Sequence, residues 1–573
     1  MKLILREYLL ALKERNELDS LLPDLLSQMG LRVFSTPMIG PRQYGVDVAA
    51  VGQLGEMENS VYLFTVKPGD IKRSDWSDSS SQGIKQSLDD ILQTYIPTHL
   101  PSELGELPVK VCICIGGEIK QDVRQTVSSY EKFFQTEQVS FEEWDGEKLS
   151  NLISEHFLAE ELMPKEKRFL LRKSIALIED PELSYESYAK LVRWLCGKTF
   201  KSDKEALTHI RQLNISLWIL FSWCREANNV DAAYLASEVA LLNAWEIAKP
   251  YTSSKSKVPR EILNTFSLCL NTYHTITNEF LEKCVTPHVG KKHSISNAVR
   301  ANCKFDVSLK LFDILSRLGV QGIWLSNEIR KQGSEDEGKR EELISSLHQA
   351  FEAIKQLIVN NPVLMAPFKD DQAIDLSIAI YCLSLDEENI QFIKDWLGEM
   401  VYILRHSYQG GRAFPTVNLD YAQLINIEES KTKEQLEELT RSSISYPLIG
   451  VIASLLEMDE IKEVLSDFCE NSLKHCEMQY WYPLADTEKF LYTNKGRHGG
   501  VLHPIDLVRK NELLLEQVFS ECVNTDYFEG LTAVSEGLEP LVTIACRHYR
   551  YPLPMHFFLD DYELFKQRAN AKS

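Results

Sequence analysis

The sequence predicts a multidomain protein in which an N-terminal α/β domain is followed by a large all-α region. The chain has 573 residues, and a single hydrophobic core does not usually stabilise a chain of that length. Strand-like patterns, alternating or continuously apolar, stop after about Trp144, and segments with a helical period dominate from about Pro164. We therefore predict an α/β domain over 1–163 and a helical region over 164–573, with a candidate subdomain break near residue 360.

The elements of the first domain alternate between helix and strand, as in a layered α/β structure. A helix from about residue 18 to 29 should stop at Gly30, a residue that commonly ends helices. Five strands are predicted, and in chain order they are LRVFS, VDVAAVG, VYLFTVK, VKVCICIGG and VSFEEW. Three further helices are predicted in QGIKQSLDDILQTYI, in 122–134 and in 146–157. The continuous apolar run VKVCICI is typical of a strand buried on both faces.

The second region carries amphipathic stripes. In one of them apolar residues recur at three- and four-residue steps, at Phe305, Leu309, Phe312, Leu315 and Leu318. Similar stripes occupy roughly 167–195, 205–226, 230–248, 260–284, 340–360, 372–384, 388–406, 430–457 and 505–523. No fixed repeat period is recognisable, so we expect a helical array or bundle rather than a named solenoid.

Charge and composition narrow the possible functions. The formal net charge is −21, and residues 1–160 contain 15 Lys/Arg and 25 Asp/Glu, a balance of −10. This argues against a general nucleic-acid coat protein but leaves room for a local basic cleft. The longest apolar run, 215–224, is too short to span a bilayer, and we expect no membrane partner. Twelve cysteines without a CxxC pair, and no secretion signal, predict reduced thiols in the cytoplasm.

One set of residues has the spacing of a catalytic site. A helix containing Asp19 is followed by a strand, by Gly45-Val46-Asp47-Val48, by a strand ending Thr65-Val66-Lys67, and by a helix with Gln86. Over about 1–160 this order resembles the Mrr-like branch of the PD-(D/E)xK restriction-endonuclease superfamily. The resemblance also covers the strand that ends Gly-Gly and the closing WDGEKLSNLI.

The resemblance implies a restriction-endonuclease-like core and a role for each matching residue. Asp47 matches the metal-binding aspartate, Lys67 the catalytic lysine, Asp19 the acid of the first helix and Gln86 the later glutamine. Phosphodiester cleavage needs a divalent cation, here Mg²⁺ or Mn²⁺, to stabilise developing charge and acidify water. Thr65 and Lys67 should share one strand face because side chains alternate.

Thr65 departs from the pattern, because relatives carry an acid or a glutamine there, and a hydroxyl is a poor Mg²⁺ ligand beside a carboxylate. Asp89 or Asp90 could supply an acid from the helix of Gln86. A purely structural interpretation also stays open, in which Asp47 ends a turn and Lys67 only ends a strand.

Two other features could contact nucleic acid. Gly-rich or basic loops at Lys291 and Lys292, at Arg412, and at Lys495 and Arg497 could hold phosphate, although a solvated loop is the favoured interpretation of each. The aromatic cluster Tyr480, Trp481 and Tyr482 could stack on bases, but an aromatic core is the favoured interpretation. No nucleotide-binding loop or HExxH motif is present in the sequence.

Two functional hypotheses follow. In the first, the chain is a Mg²⁺-dependent DNA endonuclease, an effector of bacterial restriction or anti-phage defence, with the helical region recognising a target, binding a partner protein or forming a homo-oligomer. In the second, a catalytically degenerate core only binds DNA or a protein.

Overall fold

The computed structural model describes residues 5–6, 9–10, 12, 18–36, 44–55, 58–77, 83–157, 164–303, 305–332, 337–427, 432–494 and 499–572. The chain divides into two compact units, Met1–Ile276 and Thr277–Ser573. The change from mixed to mainly helical structure falls within the first unit, near Pro164. Within the described residues, every helix is too short or too polar to cross a lipid bilayer.

A five-stranded mixed sheet organises the start of the first unit, and its strand order equals the chain order. The strands are β1 (Arg32–Ser35), β2 (Val48–Gly52), β3 (Ser60–Lys67), β4 (Val109–Ile115) and β5 (Val139–Trp144). β1, β2 and β3 are antiparallel neighbours, whereas β4 is parallel to both β3 and β5. The helices around the sheet are α1 (Asp19–Gln28), α2 (Arg73–Ser77), α3 (Ile84–Asp90), α4 (Ile96–Thr98), α5 (Gln121–Phe134) and α6 (Gly146–His156). The predicted mixed α/β arrangement of this segment is confirmed.

The sheet is covered on both faces. One face packs against α3 and α5 through an apolar cluster that includes Val61, Leu63, Val111, Ile113, Ile84, Leu88, Val123 and Val127. The other face carries Phe64 and Trp144, whose rings meet edge to face at 5.0 Å. Helices α1 and α6 contact each other, and their buried residues lie outside the first cluster. The result is a three-layer core, which explains why β3 and β4 are apolar along almost their whole length.

Five more helices complete the first unit: α7 (Lys165–Ala176), α8 (Pro181–Cys196), α9 (Asp203–Glu226), α10 (Asp231–Ala248) and α11 (Lys257–Phe280), the last crossing the boundary between the units. Local capping starts two of them, because Asp180 accepts from the N–H of Leu183 at 3.2 Å and Ser202 from that of Glu205 at 3.3 Å. The buried Gln212 on α9 donates to the carbonyl of Phe157, just beyond α6, at 2.7 Å. The helices are therefore packed directly onto the α/β layer.

The second unit is mainly helical. Its helices are α12 (Ser294–Ala298), α13 (Asp306–Lys331), α14 (Glu337–Asn360), α15 (Gln372–Ser384), α16 (Ile390–Gln409), α17 (Tyr421–Ile425), α18 (Lys433–Leu439), α19 (Ser445–Leu455), α20 (Asp459–Ser472), α21 (Thr487–Phe490), α22 (Asn511–Val523), α23 (Thr532–Ser535), α24 (Pro540–Tyr549) and α25 (Leu559–Lys572). Helix α13 packs against α14, α15 and α24 and so lies at the centre of this unit.

The region beyond residue 163 is mainly helical, as predicted, but it is not all-α. A three-stranded sheet forms from β6 (Ser442–Ser443), β7 (Glu477–Pro483) and β8 (Gly500–Pro504), in that order. The stripe predicted over 430–457 is correspondingly interrupted by β6. The chain departs from the prediction because the second half of β7, from Tyr480 to Pro483, is buried on both sides and so shows no alternating pattern. Its aromatic residues belong to the interior, which confirms the core interpretation, although they lie on a strand.

Candidate functional site

Asp47 immediately precedes β2 and is held against β3 by two hydrogen bonds. Its backbone N–H donates to the carbonyl of Phe64 at 2.8 Å, and its Oδ2 accepts from the backbone N–H of Val66 at 2.7 Å. The registered pairs between the two strands begin at Val48 with Phe64, so the carboxylate takes the place of a strand partner for Val66. Asp47 is therefore fixed beside the end of β3 that carries Lys67.

A glycine turn brings α3 close to Asp47. Gly45 has φ +79°, and a Cβ placed on it would lie 2.1 Å from the carbonyl oxygen of Ser87. No side chain fits there, and the left-handed backbone disfavours any other residue. The turn before Asp47 and the first turns of α3 are thus in backbone contact, as the predicted order of elements requires.

Thr65 and Lys67 lie on β3 beside Ile113 and Ile115 of β4. Thr65 is 1% exposed, and its Oγ1 has no hydrogen-bond partner among the described residues. Lys67 is the last residue of the strand and is half-buried. Because side chains alternate along a strand, the two side chains share one face, and the site contains a buried hydroxyl next to a lysine at the C-terminal end of the central strand.

The residues predicted on α3 have other partners. Gln86 is exposed and donates from Nε2 to Oδ1 of Asp90 at 3.0 Å. Asp89 accepts a hydrogen bond from the hydroxyl of Tyr130, on α5, at 2.6 Å. Burial, together with the hydrogen bond to Asp89, raises the pKa of the Tyr130 hydroxyl. Asp89 therefore joins α3 to α5, whereas Asp90 pairs with Gln86 within α3. The backbone of Ser87 on this helix is what the Gly45 turn approaches.

Asp19 is the first residue of α1 and is 8% exposed. Its helix contacts β1, β2 and α6. Farther along α1, Asp24 lies 3.5 Å from the guanidinium of the buried Arg211, which also contacts Glu261 at 3.4 Å. Burial is the largest influence on Asp24 and raises its pKa to about 6 despite Arg211. The helix carrying Asp19 is therefore anchored to α9 and α11.

The structure describes some of the basic residues predicted to bind phosphate and not others. Lys291, Lys292 and Arg412 are exposed, and all three belong to the second unit. Lys495 and Arg497 lie outside the described residues. The glycines that follow them have packing roles: a Cβ on Gly499 would lie 2.6 Å from Cα of Thr487, and one on Gly500 would lie 2.1 Å from Nε1 of Trp481.

Sequence reasoning missed a charged cluster on β4, β5 and α6. Glu142 accepts from Lys110 at 3.0 Å, from Lys148 at 2.9 Å and from the indole N–H of Trp144 at 3.0 Å. Burial alone would raise the pKa of Glu142, but these donors together lower it. Alternation in VSFEEW could have indicated that Glu142 and Trp144 share a face. The cluster is fully paired, so it stabilises the outer strand of the sheet.

The described residues bring together few groups that could hold a metal ion. Among the described residues, no three or more His, Cys, Asp or Glu side chains converge in a way that could hold a metal ion. All twelve cysteines are free thiols. An open depression of about 400 Å³ is lined by Glu143, Asp145, Glu147, Lys148, Asn151 and Leu152, none of which belongs to the predicted site.

No protein-family model matches this sequence, and comparisons with curated proteins and with solved structures returned no significant match.

Proposed function

We propose that this protein is a divalent-metal-dependent DNA endonuclease with a PD-(D/E)xK-like core. The observation that carries the proposal is the 2.7 Å hydrogen bond from Val66 to the Asp47 carboxylate, which fixes that acid beside the strand end bearing Lys67. The helix, three antiparallel strands, covering helix and parallel strand follow one another in the order that the resemblance to this superfamily implies. The close packing of Gly45 on Ser87 supports the same comparison.

The donors present suit Mg²⁺ or Mn²⁺ only if the substrate completes the site. Asp47 offers one carboxylate, and Thr65 offers a buried hydroxyl that has no partner among the described residues. Magnesium commonly uses one or two carboxylates together with water and substrate phosphate oxygens, so this set fits such an ion. When bound, the metal would acidify water and offset phosphate charge.

The chain's own residues have complementary roles in this proposal. Asp47 would bind the cation beside the C-terminal end of β3, where the hydrogen bond from Val66 fixes its carboxylate. Lys67, as a cation at the C-terminal end of the central strand, would orient the attacking water and stabilise the extra negative charge on the phosphate. The buried Thr65 would exclude bulk water from the floor of the site. The helical region would recognise the target, bind a partner protein or assemble subunits, as in effectors of bacterial restriction and anti-phage defence.

The experiment is cleavage of supercoiled plasmid DNA by the full chain with Mg²⁺, Mn²⁺ or EDTA. Asp47→Asn is the informative variant, because the amide oxygen can still accept from Val66 while the charge is lost. Asp145→Asn is a matched control, since Asp145 accepts from the backbone N–H of Lys148 at 2.8 Å in the same α/β layer. We expect metal-dependent cleavage that Asp47→Asn lowers on the order of 100-fold and the control does not. Cleavage that survives Asp47→Asn would contradict the proposal.

A second candidate is a non-enzymatic module that binds DNA or a protein. It is favoured by Thr65, which replaces an acid and is 1% exposed, and by the structural use of the Asp47 carboxylate in satisfying Val66. This alternative predicts binding of duplex DNA, or of a protein partner, with no cleavage under any of the three metal conditions. The plasmid assay and a binding assay on the same preparation separate the two candidates.

A further inference from the structure

We propose that Lys72 and Arg73 bind the phosphate backbone of DNA on a rigid platform that leads away from Lys67. The platform is the segment 67–73 together with 116–120. The ligand, duplex DNA, is taken from the proposed function, on which this inference rests. The inference adds that this segment contacts the phosphate backbone of the DNA.

The platform is locked by backbone hydrogen bonds between its two segments. Gly117 N–H donates to the carbonyl of Gly69 at 2.9 Å, Ile71 N–H to Glu118 at 3.0 Å, and Lys120 N–H to Ile71 at 3.0 Å. A Cβ on Gly117 would lie 2.8 Å from the carbonyl carbon of Gly69, so the segments are in direct backbone contact. A surface held in this way presents its side chains without first losing loop entropy on binding.

Asp70, the acid within the first segment, already bonds the second segment. Its Oδ1 accepts from the N–H of Glu118 at 2.9 Å, and its Oδ2 lies 3.0 Å from Nζ of Lys120. Burial alone would raise the pKa of Asp70, but the hydrogen bonds from Glu118 and Lys120 lower it. The carboxylate therefore joins the two segments, and its electrostatic interaction with Lys72 is weaker than its interactions with Glu118 and Lys120.

Lys72 and Arg73 are exposed, and neither forms an ion pair within the described residues. With Lys67 they give the segment 67–73 three cations and one acid, in a domain whose overall balance is negative. Lys72 lies five positions after Lys67, so their Cα atoms are at most roughly 18 Å apart. Because one DNA strand rises about 3.4 Å per nucleotide, the two cations can reach phosphates no more than about five nucleotides apart along one strand.

The test measures binding of the full chain to a fluorescein-labelled DNA duplex by anisotropy, in EDTA, between 50 and 200 mM KCl. Lys72→Glu/Arg73→Glu is compared with Arg172→Glu/Lys173→Glu, which makes the same charge change at two adjacent exposed cations of α7. Lys72→Ala/Arg73→Ala shows whether loss of charge suffices without repulsion, and circular dichroism checks folding. We expect the first variant to bind on the order of 10- to 100-fold more weakly, with a salt slope lower by about two, and the α7 variant to change less than about threefold.

Equal weakening by both charge reversals, unchanged binding by the platform variants, or tighter binding of a matched RNA duplex would overturn the assignment. Plasmid cleavage by the wild-type chain alongside unchanged binding by the platform variants would refute the platform and leave the nuclease intact. Binding that depends on the platform residues, without any plasmid cleavage, would refute the nuclease and leave the platform intact. A wild-type chain that does not bind duplex DNA would refute both.

Discussion

The carboxylate of Asp47 accepts a hydrogen bond from the backbone N–H of Val66 across 2.7 Å. The proposed metal-binding side chain is therefore also a structural element of the sheet, because it accepts from the first β3 N–H that faces β2 beyond the last registered pair, Val48 with Phe64. Any substitution at Asp47 changes both properties unless an acceptor is retained, and the predictions below separate them.

We predict that Asp47→Ala destabilises the protein and Asp47→Asn does not. Alanine leaves the N–H of Val66 without its acceptor, which costs about 1–3 kcal/mol, whereas an asparagine oxygen can keep the bond at a cost below about 1 kcal/mol. Urea unfolding followed by fluorescence measures the difference. Equal free energies of unfolding for the two variants would show that this hydrogen bond contributes little.

We predict that Thr65→Val is neutral or stabilising by about 1 kcal/mol. The Thr65 hydroxyl is buried without a partner among the described residues, so an apolar group of the same shape removes a desolvation cost. Thr65→Glu restores the acid of the related pattern but buries a carboxylate, and we expect it to lower the midpoint of thermal unfolding. Scanning calorimetry of both variants checks this, with Thr65→Ser as the control that keeps the hydroxyl. A destabilised Thr65→Val would indicate that the hydroxyl has a partner.

We predict that Gly45→Ala destabilises the α/β core by about 3 kcal/mol or more. The new methyl would meet the carbonyl of Ser87 at 2.1 Å and would also adopt a left-handed backbone. Gly55→Ala is the matched control, since Gly55 also has positive φ, +58°, but nothing lies within 4 Å of a Cβ there. The control should cost about 1 kcal/mol. Similar losses in the two variants, measured by urea unfolding, would contradict the close contact with α3.

We predict that Asp24 makes the protein less stable as the pH rises from 4 to 6. Because burial raises the pKa of Asp24 to about 6, the folded state binds more protons than the unfolded state in this window. Relative to Asp24→Asn, the wild-type free energy of unfolding should fall by about 1–3 kcal/mol across it and stay level above. Burial also lowers the pKa of His209 to about 4, which has the opposite sign, and the difference between the two proteins removes that contribution. A difference that does not vary with pH would refute the prediction.

The five strands of the first sheet were predictable because their patterns are local. β3 and β4 are long apolar runs, and turn residues such as Gly45 separate their neighbours. The second sheet was not predictable in this way. β6 has two residues, β8 is short and only partly buried, and β7 depends on tertiary packing of Tyr480, Trp481 and Tyr482.

The candidate site was only partly accessible to sequence reasoning. The sequence predicted that Asp47 lies next to the strand of Thr65 and Lys67, because strand order follows the chain and side chains alternate along each strand. The burial of Thr65 and the outward direction of Gln86 depend on how α3 packs, which no local pattern encodes. The locking of 67–73 to 116–120 likewise arises from two segments far apart in the chain.

Asp47 is both the proposed metal ligand and the hydrogen-bond acceptor for Val66, so an aspartate kept at this position in a descendant or engineered form does not by itself indicate catalysis. A lineage that abandoned chemistry would still be selected to keep an acceptor for Val66, so an aspartate or asparagine could persist there for folding alone.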